Sequence, residues 1–369
     1  MTRILITGAE GFIGRNLCVR LDERGGIERF PIGRSDGAEA LAAAARDADF
    51  VFHLAGVNRP PDESEFHSGN AGFTETLCRI LAEAGSRAPI VYASSAQAAA
   101  DNPYGRSKQA AEDLLFRHGA STGVPIHVFR LPNVFGKWAK PNYNSAVATF
   151  CHAIARGEEI NIHDPAAPLS LVYIDDVVDA FLKLLEEPPA ESGFRDVAPV
   201  YATKVGDVAD LVRNFPGSRR TLVTAPVGAG LVRALYSTYL SYLRPEDFAY
   251  GVPIHRDPRG VFVEMLKTRD SGQFSYFTAG PGITRGDHYH HSKAEKFLVI
   301  AGTARFGFRH IVTDETHALV TRGGEGRIVE TIPGWTHNIT NVGDEELIVM
   351  LWANEIFDSQ RPDTIGMRV

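Results

Sequence analysis

Two rhythms of apolar and polar positions divide the chain. Through about Leu243, short β-branched runs alternate with helical periods. "RILIT" leads into a helix over 11–24, "DFVFHLAG" into 65–84, "PIVYASS" into 104–119 and "PIHVFRL" into 144–156. Strands alternating with helices predict parallel strands joined by right-handed crossovers, a doubly wound α/β sheet. "DDVVDAFLKLLEE" and "VGDVADLVRNF" add later helices opened by acidic residues, which suit a helix N-terminus. After Pro245 the period shortens to two. "GVFVEML", "QFSYFTA", "EKFLVIAG", "ARFGFRH", "HALVTR", "RIVETIP" and "ELIVMLWA" read as strands separated by Gly- and Asp-rich turns, an all-β barrel or jelly roll. The expected division is therefore 1–243, a connector over 244–259, and 260–369.

Composition narrows the classes. With 369 residues, 44% hydrophobic and 22% charged, the chain suits two globular domains with no low-complexity stretch. A net charge of −7 without a lysine or arginine block argues against nucleic acid as a partner, because phosphate backbones need clustered positive charge. Cys18, Cys78 and Cys151 form no C-x-x-C pair and read as thiols of a reducing compartment. No apolar run is long enough to cross a bilayer, and a strand starting at Arg3 leaves no room for a signal peptide. The expectation is a cytoplasmic protein with no membrane or nucleic-acid partner.

Candidate chemistry in the first half begins at "TGAEGFIG". Gly8, Gly11 and Gly14 lie between a strand and a helix, where glycines permit a tight turn and let backbone approach a pyrophosphate at the helix N-terminus. After the second strand, "GRSD" offers Arg34 and Ser35 where an NAD-binding fold would offer an acid. Arginine there suits a 2′-phosphate, so NADPH is expected, with Asp36 the feature against it. Tyr104 and Lys108 form Y-x-x-x-K on one face of a helix. That pair is common by chance, and Tyr289 with Lys293 is a second one. Order distinguishes the first: the glycine loop, then "VYASSAQ" ending a strand, then "NPYGRSK" opening a helix.

This order resembles the extended short-chain dehydrogenase/reductase family over roughly residues 1–240. The resemblance implies a Rossmann-like sheet, with Tyr104 as proton donor to a carbonyl, Lys108 lowering its pKa and holding the nicotinamide ribose, and Ser95 bonding the reacting oxygen. Ser94 is the alternative serine. It also implies cofactor contacts from Phe12 and Ile13 in the glycine loop and from Leu54 and Ala55 in "FHLAG". "RLPNVFGKWAKPNYNSAV" resembles the nucleotide-sugar segment of that family, so Asn133, Lys137, Lys140 and Asn144 become candidate donors to a diphosphate.

In the second half, "GITRGDHYHHSKAEKFLVIAG" sets Gly282, His288, His290, Glu295 and Gly302 at spacings that resemble the first motif of the cupin superfamily. "PGWTHNITN" resembles the second, with Pro333, Gly334, His337 and Asn341, one residue short between proline and glycine. Side chains at i and i+2 of a strand share a face, so His288 and His290 can converge on one ion. Glu295 and His337 complete an N/O set suited to a divalent metal, with zinc expected. His291, adjacent to His290, leaves a one-residue ambiguity in register.

The two modules in one chain resemble the CapF-like bifunctional enzymes of capsular-polysaccharide nucleotide-sugar synthesis. The resemblance implies C3 epimerisation of a UDP-2-acetamido-2,6-dideoxy-4-hexulose in the cupin domain. NADPH-dependent C4 reduction to UDP-2-acetamido-2,6-dideoxy-L-talose would follow, on the way to UDP-N-acetyl-L-fucosamine. The expected partner is this UDP-linked 4-keto-6-deoxy-N-acetylhexosamine, and the expected assembly a homodimer. The base for C3 is open among Lys296, Tyr289, His291 and His337. Three other readings compete: a 4-ketoreductase whose cupin only dimerises, an NADPH-binding sensor, and a cupin dioxygenase fused to a reductase.

Overall fold

The computed structural model describes residues 1–253, 255–257, 260–262, 266, 272–355 and 360–369. Residues 254 and 258–259 of the expected connector, and 263–265 of the expected strand "GVFVEML", lie outside the described residues. Packing divides the chain into two compact units. One comprises Met1–Phe135, Tyr143–Ser145 and Leu169–Thr203, the other Gly136–Asn142, Ala146–Pro168 and Lys204–Val369.

The first unit is the doubly wound sheet. Its strands are β1 (Thr2–Thr7), β2 (Ile27–Ile32), β3 (Phe50–His53), β4 (Ile90–Ser95), β5 (Ile126–Leu131), β6 (Asn133–Phe135), β7 (Pro168–Tyr173), β8 (Gly193–Arg195) and β9 (Tyr201–Lys204). The main sheet runs β2-β1-β3-β4-β5-β8, parallel throughout, and β6-β7-β9 form a small second sheet. Ile4, Leu5 and Ile6 are fully buried in succession, as a strand covered on both faces requires. Leu5, Val51, Ile90 and Val128 from four neighbouring strands meet Leu77, Leu81 and Leu115 from the covering helices in one core. Strand order reverses at β1 and β3, so a crevice opens at their C-terminal ends, where such folds bind ligands.

Three helices shape that crevice. Phe12–Asp22 starts directly after the glycine loop. Phe73–Glu83 is preceded by a π-helical turn at His67–Gly72. The third helix, Pro103–Thr122, has Asn102 as its cap, accepting from the Gly105 N–H at 2.8 Å, with Pro103 in the first turn. It ends where Gly123 turns left-handed at φ +75°. An alanine-rich helix at Ala38–Asp47 joins β2 to β3 and was not among the predicted elements.

The second unit contains the predicted all-β region together with helices Ala146–Ala155, Val205–Asn214 and Gly230–Leu240. Its strands are β10 (Ala249–Gly251), β11 (His255–Asp257), β12 (Gly260–Phe262), β13 (Gln273–Ala279), β14 (Thr284–Tyr289), β15 (Glu295–Ala301), β16 (Thr303–His310), β17 (Thr316–Arg322), β18 (Arg327–Glu330), β19 (Trp335–Asn341), β20 (Leu347–Ala353) and β21 (Ile365–Gly366). One sheet runs β10-β18-β15-β20-β13 and the other β17-β16-β19-β14-β21. Phe297 of the first sheet and Phe306 of the second lie with ring centroids 5.8 Å apart, so the sheets face each other as in a jelly roll. All three cysteines are free. No helix among the described residues is long and apolar enough to cross a membrane.

Candidate active site and metal centre

The glycine loop is tight in the way its sequence demands. Gly8 has φ +71°, and a Cβ there would stand 2.6 Å from the Ala55 nitrogen. A Cβ on Gly14 would stand 2.2 Å from the Gly8 carbonyl oxygen. Gly8 therefore lies against Leu54 and Ala55, Gly11 and Gly14 close on the Gly8 carbonyl, and Phe12 and Ile13 open the helix that follows. Ala55 N–H donates to Thr7 Oγ1 at 3.3 Å, tying β3 to the end of β1. Arg34 and Ser35 are exposed on the turn after β2. Asp36 accepts from the Gly33 N–H at 2.7 Å and shapes that turn.

Tyr104 and Lys108 stand one helical turn apart, as Y-x-x-x-K predicts. Burial pushes the Tyr104 phenol up, a hydrogen bond with Ser95 eases it, and Tyr143 adds to the rise. Lys108 is buried, donates to the Ala93 carbonyl at 2.8 Å and lies 4.3 Å from the Tyr92 ring centroid. Burial lowers it to about 7, while the Glu112 carboxylate works the other way. Gly56 keeps space near this ammonium: a Cβ there would come 3.7 Å from Nζ and 2.9 Å from Asn70 Oδ1. Asn70, turned inward by the π-helical turn, donates to Val57 O and Ser107 Oγ and braces the helix that carries Tyr104.

The two serines separate cleanly. Ser94 donates to Glu112, whose carboxylate is also gripped by Arg130 through Nη2 at 2.6 Å and Nε at 3.1 Å. Ser95, one residue on, accepts from the Gln97 N–H at 3.1 Å and pairs with Tyr104. Asn133 is exposed and donates to Ser170 O at 3.1 Å, and Asn144 is also exposed, both in the first unit. Lys137 belongs to the second unit and is buried, its Nζ 5.4 Å from the Trp138 ring centroid.

In the second unit the ligand atoms of His288, His290, Glu295 and His337 all lie within 4.8 Å of one another. β14 pairs with β19 so that His288 stands opposite His337, and a register shift between Gly286 and His288 aims the first ligand inward. His290 follows the end of β14, and Glu295 begins β15 in the facing sheet. His290 Nε2 lies 3.1 Å from Glu295 Oε2, and His337 Nε2 stops 3.5 Å from the same oxygen. Neither ring nitrogen of His337 has a hydrogen-bond partner, although the residue is buried. Unpaired buried nitrogens are costly unless something ligates them, so the donor set fits a divalent cation. Burial, then neighbouring His337 and His290, take His288 down to about 4, leaving the neutral imidazole a ligand needs.

Asp363 gives His290 and His291 different surroundings. Asp363 accepts from the N–H groups of His291, Ser292 and Lys293 at 2.7–2.8 Å, and its own carbonyl bonds His290 Nδ1. That second contact fixes the His290 ring with Nε2 toward the cluster. Of the candidate bases, Lys296 points to the other face, pairing with Glu330 at 2.8 Å and Tyr250 at 2.7 Å. Tyr289 is buried against His291 and alternates away from His288. Lys293, named in the sequence only as the partner of Tyr289, places Nζ 2.9 Å from Glu295 Oε1. Its signal was a lone lysine between two ligand positions.

Residues 4–197 match the NAD dependent epimerase/dehydratase family, and residues 255–365 match the polysaccharide biosynthesis C-terminal domain. The chain is 55% identical over 367 residues to the UDP-2-acetamido-2,6-beta-L-arabino-hexul-4-ose reductase of Pseudomonas aeruginosa, covering 100% of this chain and 99% of that one. The chain belongs to the CapF-like family. Its structure is similar to the capsular polysaccharide assembling protein CapF of Staphylococcus aureus, with a TM-score of 0.69 and 42% identity over 99% of this chain and 100% of that one. CapF bound to the inhibitor 3-isopropenyl-tropolone matches at a TM-score of 0.64 and 37% identity, covering 100% of both chains.

Proposed function

We propose that this CapF-like protein is a bifunctional UDP-sugar enzyme. Its second domain inverts C3 of a UDP-2-acetamido-2,6-dideoxy-4-hexulose, and its first reduces the C4 ketone to give UDP-2-acetamido-2,6-dideoxy-L-talose. The reductase assignment draws on the relative's named activity and on the Ser95, Tyr104 and Lys108 arrangement. Tyr104 gives its phenolic proton to the C4 oxygen, Ser95 hydrogen-bonds that oxygen, and the Lys108 ammonium stabilises the phenolate left behind. Bound NADPH supplies the hydride; exposed Arg34 and Ser35 favour its 2′-phosphate. From the sequence pattern, Asn133 and Asn144 are assigned to the UDP diphosphate.

The observation that carries the bifunctional reading is the four-ligand cluster in the second unit. A divalent ion there, which we assign as zinc, supplies positive charge that makes the hydrogen beside a ketone easier to remove. One ketone serves both reactions, and reduction fixes the inverted centre. We assign 1–243 to the reductase, 244–259 to the connector and 260–369 to the metal domain, in a cytoplasmic enzyme. A homodimer is supported by β13, an edge strand with Phe274 49% and Tyr276 72% exposed.

The test is product analysis with NADPH deuterated at the transferred position. Deuterium at C4 of an L-talo product supports the whole reading. Deuterium at C4 of a sugar with unaltered C3 would leave only the reductase.

A further inference from the structure

The segment after β6 carries more than candidate phosphate donors. Residues 136–142 pack within the second unit, and there Trp138 lies directly against Gly334. A Cβ on Gly334 would come 2.8 Å from Trp138 Cζ2 and 3.1 Å from both Cε2 and Nε1, so the indole occupies the space a side chain would need. Gly334 itself has φ +82°, a backbone conformation that favours glycine.

Gly334 is fastened to the metal centre. Its N–H donates to the His290 carbonyl at 3.1 Å, and its carbonyl accepts from the Ile311 N–H at 3.1 Å. Three residues later the chain reaches His337. The turn under the indole thus holds one ligand through a backbone bond and leads into another. Trp138 is kept there at a cost: its φ is +70°, rare for a bulky residue, and its buried Nε1 has no hydrogen-bond partner. The ring is flanked by His310 at 6.0 Å, which in turn lies 5.2 Å from Trp335, and the next residue's carbonyl, on Ala139, accepts from the Tyr242 hydroxyl.

We propose that Trp138 is a positioning residue for the metal centre, its indole holding the Gly334 turn so that His290 and His337 keep ligating geometry. This rests on reading His288, His290, Glu295 and His337 as metal ligands. The stretch that follows the reductase strand β6, and carries Lys137, then also sets how well the second domain holds its metal.

The experiment measures zinc affinity of the full-length protein by competition with a chromophoric chelator, and the visible absorption of the cobalt(II) form. Trp138→Ala is expected to weaken zinc binding roughly tenfold, as loss of a group that orients ligands does, and to alter the cobalt bands. Trp138→Phe is expected to restore most of both, and Gly334→Ala to reproduce the loss by displacing the ring. Trp138→Leu replaces the alanine variant if that chain does not fold. Wild-type affinity and an unchanged cobalt spectrum in the alanine or leucine variant would overturn the proposal alone. A wild-type protein that takes up neither metal would overturn the ligand reading beneath it.

Discussion

At Lys108 burial and charge oppose each other. Burial pulls the ammonium to about 7, and Glu112, one turn further along the same helix, holds it from falling lower. On the proposed mechanism the protonated form stabilises the Tyr104 phenolate, so kcat/KM for ketone reduction should fall as pH rises through about 7. Removing the carboxylate lowers the lysine further, so Glu112→Gln should move this falling limb to lower pH by about one unit. A pH profile of NADPH oxidation reads the shift directly; an unmoved limb would show that another group titrates. The shared helix face of Tyr104 and Lys108 was legible in the sequence because one helical turn fixes their spacing. The different surroundings of Ser94 and Ser95 were not, since adjacent strand positions look alike until Glu112, held by Arg130, binds Ser94. His290 and His291 posed the same problem. What distinguishes them is Asp363, more than 70 residues away, which no local pattern could reveal. Asp363→Ala should therefore leave three N–H groups uncapped and loosen the turn whose residue-363 carbonyl holds the His290 ring. We expect zinc affinity about tenfold weaker in a chelator competition.

Strands and helices with a clear period were legible, and elements shaped by distant partners were not. The helix Ala38–Asp47 escaped because a run of alanines gives little contrast between its two faces. The π-helical turn at His67–Gly72 is invisible in a pattern of apolar positions, since it serves to swing Asn70 toward Val57 and Ser107. In the second unit, alternation along β15 sends Glu295 to the metal cluster and Lys296 to the opposite face. There Lys296, Glu330, Arg219 and Tyr250 form a buried polar group. Burial opposes charge on Glu330, but Arg219 and Lys296 outweigh it and hold its carboxyl below the ordinary range. Deleting that carboxylate would strand the buried Lys296 and the half-buried Arg219. Glu330→Ala should cost about 3–5 kcal/mol in denaturant unfolding, while leaving zinc stoichiometry in the folded fraction unchanged. A loss below about 1 kcal/mol, the scale of an exposed pair, would mean that water reaches the group.

At the scale of the molecule, the change of rhythm after Pro245 located the jelly roll but not the packing of the helices before it. Val205–Asn214 and Gly230–Leu240 lie within the first half of the sequence pattern, yet fold with the second unit. Amphipathic spacing reports that a face is buried, not what buries it. The proposed function divides the chain differently from packing: we expect chelation to silence the proposed metal domain while ketone reduction through Tyr104 and Lys108 continues on a substrate that already has the inverted C3. The central claim is that the metal cluster acts on C3 by itself. It is tested most directly in heavy water without NADPH, following the C3 hydrogen of UDP-2-acetamido-2,6-dideoxy-4-hexulose by NMR. The account predicts exchange that survives Tyr104→Phe and disappears in His288→Ala. No exchange in the wild type, with NADPH still oxidised on the same ketone, would contradict it.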